Sequence, residues 1–219
     1  ELGPYFTIYS FNQVEGHRFR LGGRTGNDFS KKLMVESFLA YGTKDNKFKY
    51  GAWFEYFIHK KPRQQIGAKY RKDIEQLGQG ANAWQNDNII SSVFRRNPNN
   101  KLNGYEEYSG FFSHEWFPGL SNKITVKHKS INPVEGGVEF DRTSGDGDVV
   151  PLANITTSEI NFTTRFAYKE KYVSGEFLRV SLGTKYPTVQ AMYSLGLKNV
   201  FGSQYNYHRA VINVQDKIR

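Results

Sequence analysis

Residues 48–58 read FKYGAWFEYFI. An extended strand sends alternate side chains to opposite faces. Phe48, Tyr50, Ala52, Phe54, Tyr56 and Ile58 then share one face, wholly apolar or aromatic, while Lys49, Gly51, Trp53, Glu55 and Phe57 share the other. A tilted strand needs roughly 9–11 residues to cross a bilayer, about the length of this segment. Just upstream, Leu33, Val35, Leu39 and Tyr41 fall on one face and Glu36 on the other, and the polar stretch 43–47 (TKDNK) is turn-like. Two long strands, a tight turn, one apolar face and one charged face predict a transmembrane hairpin.

Composition fits that reading. Only 38% of the 219 residues are hydrophobic, so a helical membrane bundle is excluded, and no run of about 18 apolar residues exists. Alternating strands keep average hydropathy low, so a β-barrel is compatible with this. The 14 Tyr and 17 Phe suit strands and interfacial girdles alike. Cysteine is absent, which removes disulfides, thiolate metal sites and cysteine nucleophiles. The net charge of +9 is spread along the chain rather than clustered, and no nucleic-acid-binding motif accompanies it. The opening Glu1-Leu2-Gly3-Pro4 lacks a basic start and an apolar core, as expected of a processed chain or a piece of a longer one.

Working outward, residues 5–10 read as a short strand and 11–16 as a turn. In 17–25 (HRFRLGGRT), Arg18, Arg20 and Arg24 share a face opposite Phe19 and Leu21. Three arginines on one face need acidic partners or water; Glu36 and Glu55 on the next strands are the expected partners. Weaker or clearer strands follow at 65–73, 105–116, 122–131, 177–182, 188–197 and 205–214. Residues 158–169 are the cleanest late strand: Phe162 and Phe166 point one way, Arg165 and Lys169 the other. The polar stretches 74–104 and 132–157 are expected to be long outer loops. About ten or eleven strands result, in a single region spanning 1–219. The fold class is all-β, an antiparallel transmembrane barrel or part of a larger one.

On this reading Arg18, Arg20, Arg24, Glu36, Lys49, Glu55, Arg165 and Lys169 face the lumen, where the cations favour anionic solutes or anchor a plug. Phe48, Tyr50, Phe54, Tyr56, Ile58, Phe162 and Phe166 face lipid. Arginine at Phe54 should then hinder assembly, and at Gly51 should cost less apart from a possible clash. Recognisable catalytic motifs are missing, including G-x-S-x-G, the P-loop and H-E-x-x-H. The five histidines are scattered, and Asp141, Asp146 and Asp148 match only part of a calcium loop. Asn154 and Asn161 each begin a glycosylation sequon, a pattern common by chance. No enzyme activity, cofactor or metal is expected.

Several phrases resemble one known family. They are 11–18 (FNQVEGHR) leading into 21–25 (LGGRT), then 40–45 (AYGTKD), 48–51 (FKYG), 95–102 (RRNPNNKL) and 114–119 (HEWFPG). Together they resemble the barrel of a Bacteroidota outer-membrane family of unknown function, whose members typically carry an N-terminal carboxypeptidase-regulatory-like β-sandwich. The resemblance implies location in the bacterial outer membrane and no catalytic residues. It implies outer-membrane lipid as partner, with other envelope proteins meeting the long loops and no nucleic acid. This chain departs from the pattern in lacking the sandwich and a terminal aromatic strand, as a fragment of a larger barrel would. The competing expectation is a soluble β-sandwich that binds carbohydrate or another ligand. Such a sheet needs a second layer over Phe48, Tyr50, Phe54, Tyr56 and Ile58.

Overall fold

A computed structural model of the protein describes residues 3, 8–76, 102–135, 137–143 and 148–216. Among them every regular element is a strand. In chain order they are β1 (Tyr9–Asn12), β2 (Gly16–Arg24), β3 (Leu33–Gly42), β4 (Phe48–Lys60), β5 (Arg63–Gln76), β6 (Leu102–Phe117) and β7 (Leu120–Asn132). There follow β8 (Phe140–Thr143), β9 (Val149–Leu152), β10 (Ile155–Ala167), β11 (Lys171–Ser174), β12 (Arg179–Gly183), β13 (Thr188–Gly196) and β14 (Tyr207–Gln215).

Ten strands form one antiparallel sheet, β1-β2-β3-β4-β5-β6-β7-β10-β13-β14, in which each strand neighbours the next. The hairpins β8–β9 and β11–β12 are excursions between β7 and β10 and between β10 and β13. All connections therefore alternate between two ends. One end, here the upper, carries the turns before β2 and β4, the β8–β9 hairpin and the β13–β14 loop. The lower end carries 25–32, 61–62, 118–119 and the β11–β12 excursion. Lower-end tightness has a local cause at Gly119, with φ +101: a Cβ there would lie 2.2 Å from the Ala167 carbonyl oxygen. Only glycine accepts both that backbone and that approach.

The sheet is large, antiparallel and open. β1 and β14 are its edges, and no hydrogen bond joins them among the described residues. It also curves. The guanidinium of Arg18 on β2 lies 2.7 Å from the carboxylate of Asp73 on β5. Three strand intervals span about 14 Å on a flat sheet, more than the two side chains can bridge. The face bearing Arg18 and Asp73 is therefore concave. Glycines let aromatic rings lie flat against this face. Phe38 covers Gly51, where a Cβ would stand 2.6 Å from the ring, and Phe111 covers Gly67 equally closely.

Several expectations change. The strand expected at 5–10 is β1, ending at Asn12, so Phe11 and Asn12 are paired rather than turned. Residues 74–76 and 102–104 extend β5 and β6, and 77–101 lie outside the described residues. The second loop contains the β8–β9 hairpin and the start of β10, and β11 lies in a stretch where no strand was expected. Lys169 is not a strand residue: β10 ends at Ala167, and Lys169 turns with φ 50, exposed. The clash allowed for at Gly51 has a definite source, since Phe38 already fills the space above it.

Gly51→Val should consequently lower stability by roughly 1–3 kcal/mol through overpacking. Gly26→Ala, where a Cβ meets nothing within 4 Å, should stay within about 0.5 kcal/mol. Urea unfolding followed by tryptophan fluorescence in detergent measures both, and equal midpoints would contradict the packing described.

Candidate functional site

The convex face is built from apolar ladders. Leu33, Tyr56, Ile66, Phe112, Ile124, Phe162, Tyr193 and Ala210 stand side by side across eight strands, from β3 to β14. Next to them run Val35, Phe54, Ala68, Gly110, Val126, Ile160 and Leu195. Most of the large side chains in these rows are exposed. Among the described residues no second sheet covers them, because all extensive contacts between elements run between hydrogen-bonded neighbours.

Aromatic and polar groups flank this middle at both ends. Above it, Tyr50, Tyr70, Tyr108 and His128 form a chain of ring contacts, and the hydroxyls of Tyr70 and Tyr108 both donate to Glu106 at 2.8 Å. Below it, Trp116 packs edge-on to His114 with centroids 4.5 Å apart, and Tyr168 to Tyr186 at 4.9 Å. The indole of Trp116 donates to Asn122. The middle rows mix aliphatic and aromatic side chains, and polar partners for rings appear only at their two ends.

The concave face is charged. One lateral row reads Arg24, Glu36, Trp53, Lys69, Ser109, Lys127 and Glu159. Lys127 and Glu159 pair at 3.0 Å, and Lys69 reaches Glu107 at 3.4 Å. Toward the upper end lies a buried network. Arg18 contacts both Glu15 and Asp73; Lys49 lies 2.8 Å from Glu15 and 2.5 Å from Asp45; Arg71 also holds Asp73. Glu15, Asp73 and Lys49 are 0%, 3% and 4% exposed. Asn12 fixes Glu15 from both sides, accepting from its backbone N–H and donating to its carboxylate.

At the lower end the β11–β12 excursion packs against the concave face. Phe177 meets Phe57 with centroids 5.8 Å apart, and Arg179 makes a two-pronged contact with Glu115 at 2.9 and 2.8 Å. Arg63 donates to the Phe177 carbonyl. At the foot of the hairpin Arg165 grips Glu170 at 2.6 and 2.8 Å, and the hydroxyls of Tyr172 and Ser181 also donate to that carboxylate. Burial alone would raise the Glu170 pKa. Arg165 and the two hydroxyls outweigh it and hold the group at about 2.

Of the expected inward group, Arg18, Arg20, Arg24, Glu36, Lys49, Glu55 and Arg165 occupy concave-face positions of the register. For Arg18 the partners differ from expectation. Glu15 and Asp73, not Glu36 and Glu55, neutralise Arg18. Glu36 stands opposite Arg24 in register, and Arg20 stacks 4.1 Å over Phe38. Lys169 sits outside the face, 5.3 Å over Tyr168. Phe48, Tyr50, Phe54, Tyr56, Phe162 and Phe166 are exposed on the convex side. Ile58 lies in the bulge between Phe57 and His59, half-buried and without a register partner on β5.

Asn161 of the sequon is buried on the concave face, and Asp146 lies outside the described residues. Sequence reading missed Glu15, Asp73, Glu115 and Arg179. The available signal was their parity within strands, which puts Asp73 and Glu115 on the charged face.

A family model described as "Family of unknown function (DUF5686) C-terminal domain" matches residues 1–219. No curated protein and no solved structure gives a match.

The depressed Glu170 pKa fixes a pH dependence. Its contribution to docking the hairpin is complete above the unfolded value near 4.5 and disappears as pH falls through about 2. Proteolysis with pepsin should cut 171–183 faster at pH 2 than at pH 4.5, relative to a site elsewhere in the chain. Glu170→Gln should reduce that difference, leaving the share that belongs to Glu115 against Arg179; an unchanged ratio would contradict it.

Proposed function

We propose that this chain, which belongs to the DUF5686 C-terminal domain family, forms the wall of an outer-membrane β-barrel. In this reading the convex face meets lipid and the concave face lines the interior. The observation that carries it is the pair of apolar ladders, up to eight strands wide, left uncovered between two aromatic girdles. β4 to β7 and β10 have 13 to 16 residues each, longer than the roughly 9–11 a tilted spanning strand requires.

The interior suggests the type of barrel. Arg18, Lys49 and Arg165 are already paired with acids, and a hairpin is seated among Glu115, Arg63 and Phe57. Such a wall holds internal segments in place. It fits a non-enzymatic barrel of surface-binding, assembly or gated-transport type better than an open anion pore lined by free cations. The stretches that join β5 to β6 and β7 to β10 are the parts through which other envelope proteins would be met.

Fractionation of the full-length protein tests this directly. It should be recovered with detergent-extracted outer membrane and migrate faster on gels before boiling than after. Phe54→Arg should reduce the fast form, at a cost of roughly 2–4 kcal/mol near the bilayer midplane. Recovery as a soluble protein with one mobility would instead favour a soluble binding module, whose apolar face must then be covered by another domain.

A further inference from the structure

The lower rim combines exposed lysines with exposed aromatics. Lys31, Lys61, Lys169, Lys171 and Lys185 all lie in the turns and excursion at that end and are all exposed. Among the described residues none of the five has an acidic partner within ion-pair distance; Lys60 nearby is paired with Glu176. Phe29, Trp116, Phe117, Tyr168 and Tyr186 are exposed on the same rim.

Local hydrogen bonds present these groups. Ser30 Oγ accepts from the backbone N–H groups of Lys32 and Leu33, and Phe29 N–H donates to the Gly26 carbonyl, which closes the 25–32 turn with Phe29 outside it. Thr184 donates to the Tyr168 carbonyl and accepts from Tyr186 N–H. That pins Tyr168 against Tyr186, with Lys169 and Lys185 as their chain neighbours.

We infer that this rim is a docking surface for the headgroups of anionic phospholipids. The inference rests on the barrel reading and adds the lipid chemistry at one end. Aromatic rings settle at the level of headgroups and glycerol, and lysine stems lie along apolar surface while their ammonium groups reach phosphate. Basic residues beside a membrane surface gain from anionic lipid, and the gain is screened by salt. A soluble acidic partner would use the lysines but would leave five aromatic rings in water. Lipid accounts for both sets of side chains together.

The test uses the full-length protein in neutral detergent, with lipid retention read by native mass spectrometry after adding phosphatidylglycerol or phosphatidylcholine. The expected result is a phosphatidylglycerol preference of roughly tenfold or more. It should be lost on replacing Lys31, Lys61, Lys169, Lys171 and Lys185 by Gln, and kept in a Lys47→Gln/Lys198→Gln control at the upper end. On the unmodified chain about 0.5 M sodium chloride should erase the preference, which keeps the test decisive if the multiple variant folds poorly.

Equal retention of both lipids, or an unaltered preference in the lower-rim variant, overturns the inference. So does full competition by millimolar inorganic phosphate, which would point to free phosphate as the ligand. The heat-dependent gel shift separates the two levels. A chain that shows the shift without the preference refutes the rim alone, and a chain without the shift refutes the barrel and the rim with it.

Discussion

A single layer of strands cannot bury an apolar face by itself, and this constraint governs the molecule. Moving a large apolar side chain out of water gains roughly 1.5–3 kcal/mol. Phe54, Tyr56, Phe112, Ile124, Val126 and Phe162 remain about 40–60% exposed on the convex face. Left in water, that face forgoes on the order of 10 kcal/mol, comparable with the whole stability of an ordinary domain. Something must cover it. A second protein layer would suit any apolar pattern. Polar-tipped aromatic rings above and below an apolar band are what a bilayer selects.

The concave face meets the opposite demand. Its charges lie where water is limited by curvature and by the side chains around them, so each needs a partner. The Glu15–Arg18–Asp73–Lys49 network supplies partners across β2 to β5, and in doing so fixes how tightly those strands bend. Glycines at positions 51 and 67 are part of the same solution, because they let Phe38 and Phe111 lie flat under the charges. The hairpin at the lower end repeats the theme with Arg179–Glu115 and Arg165–Glu170. Removing one member of such a pair leaves an uncompensated charge, so the pairs act as registers for curvature and for the seating of the hairpin.

Much of the sheet was legible because period-two alternation is a local signal. It placed β2, β3, β4, β6, β7, β10, β13 and β14 within a few residues and assigned Phe54 and Glu55 to opposite faces. What escaped was non-local. Arg18 finds Asp73 only because the sheet bends, and no pattern within either strand records that. The short strands β8, β9 and β11 have four residues each, too few for alternation to show. A bulge at Ile58 shifts the alternation from His59 onward, which a strict period of two does not foresee. A clash at Gly51 was conceivable from the sequence, but its source became visible only with Phe38 above it.

The central claim is that adjacent residues of β4 face lipid and water. The chain has no cysteine, so single cysteines can report on it cleanly. In native membranes, Phe54→Cys and Phe162→Cys should resist a water-soluble maleimide and react with a lipid-dissolved one. Glu55→Cys should react from water, or become reactive once the hairpin 171–183 is removed. Equal labelling of Phe54→Cys and Glu55→Cys from water would contradict the account and place the convex face against solvent or another protein.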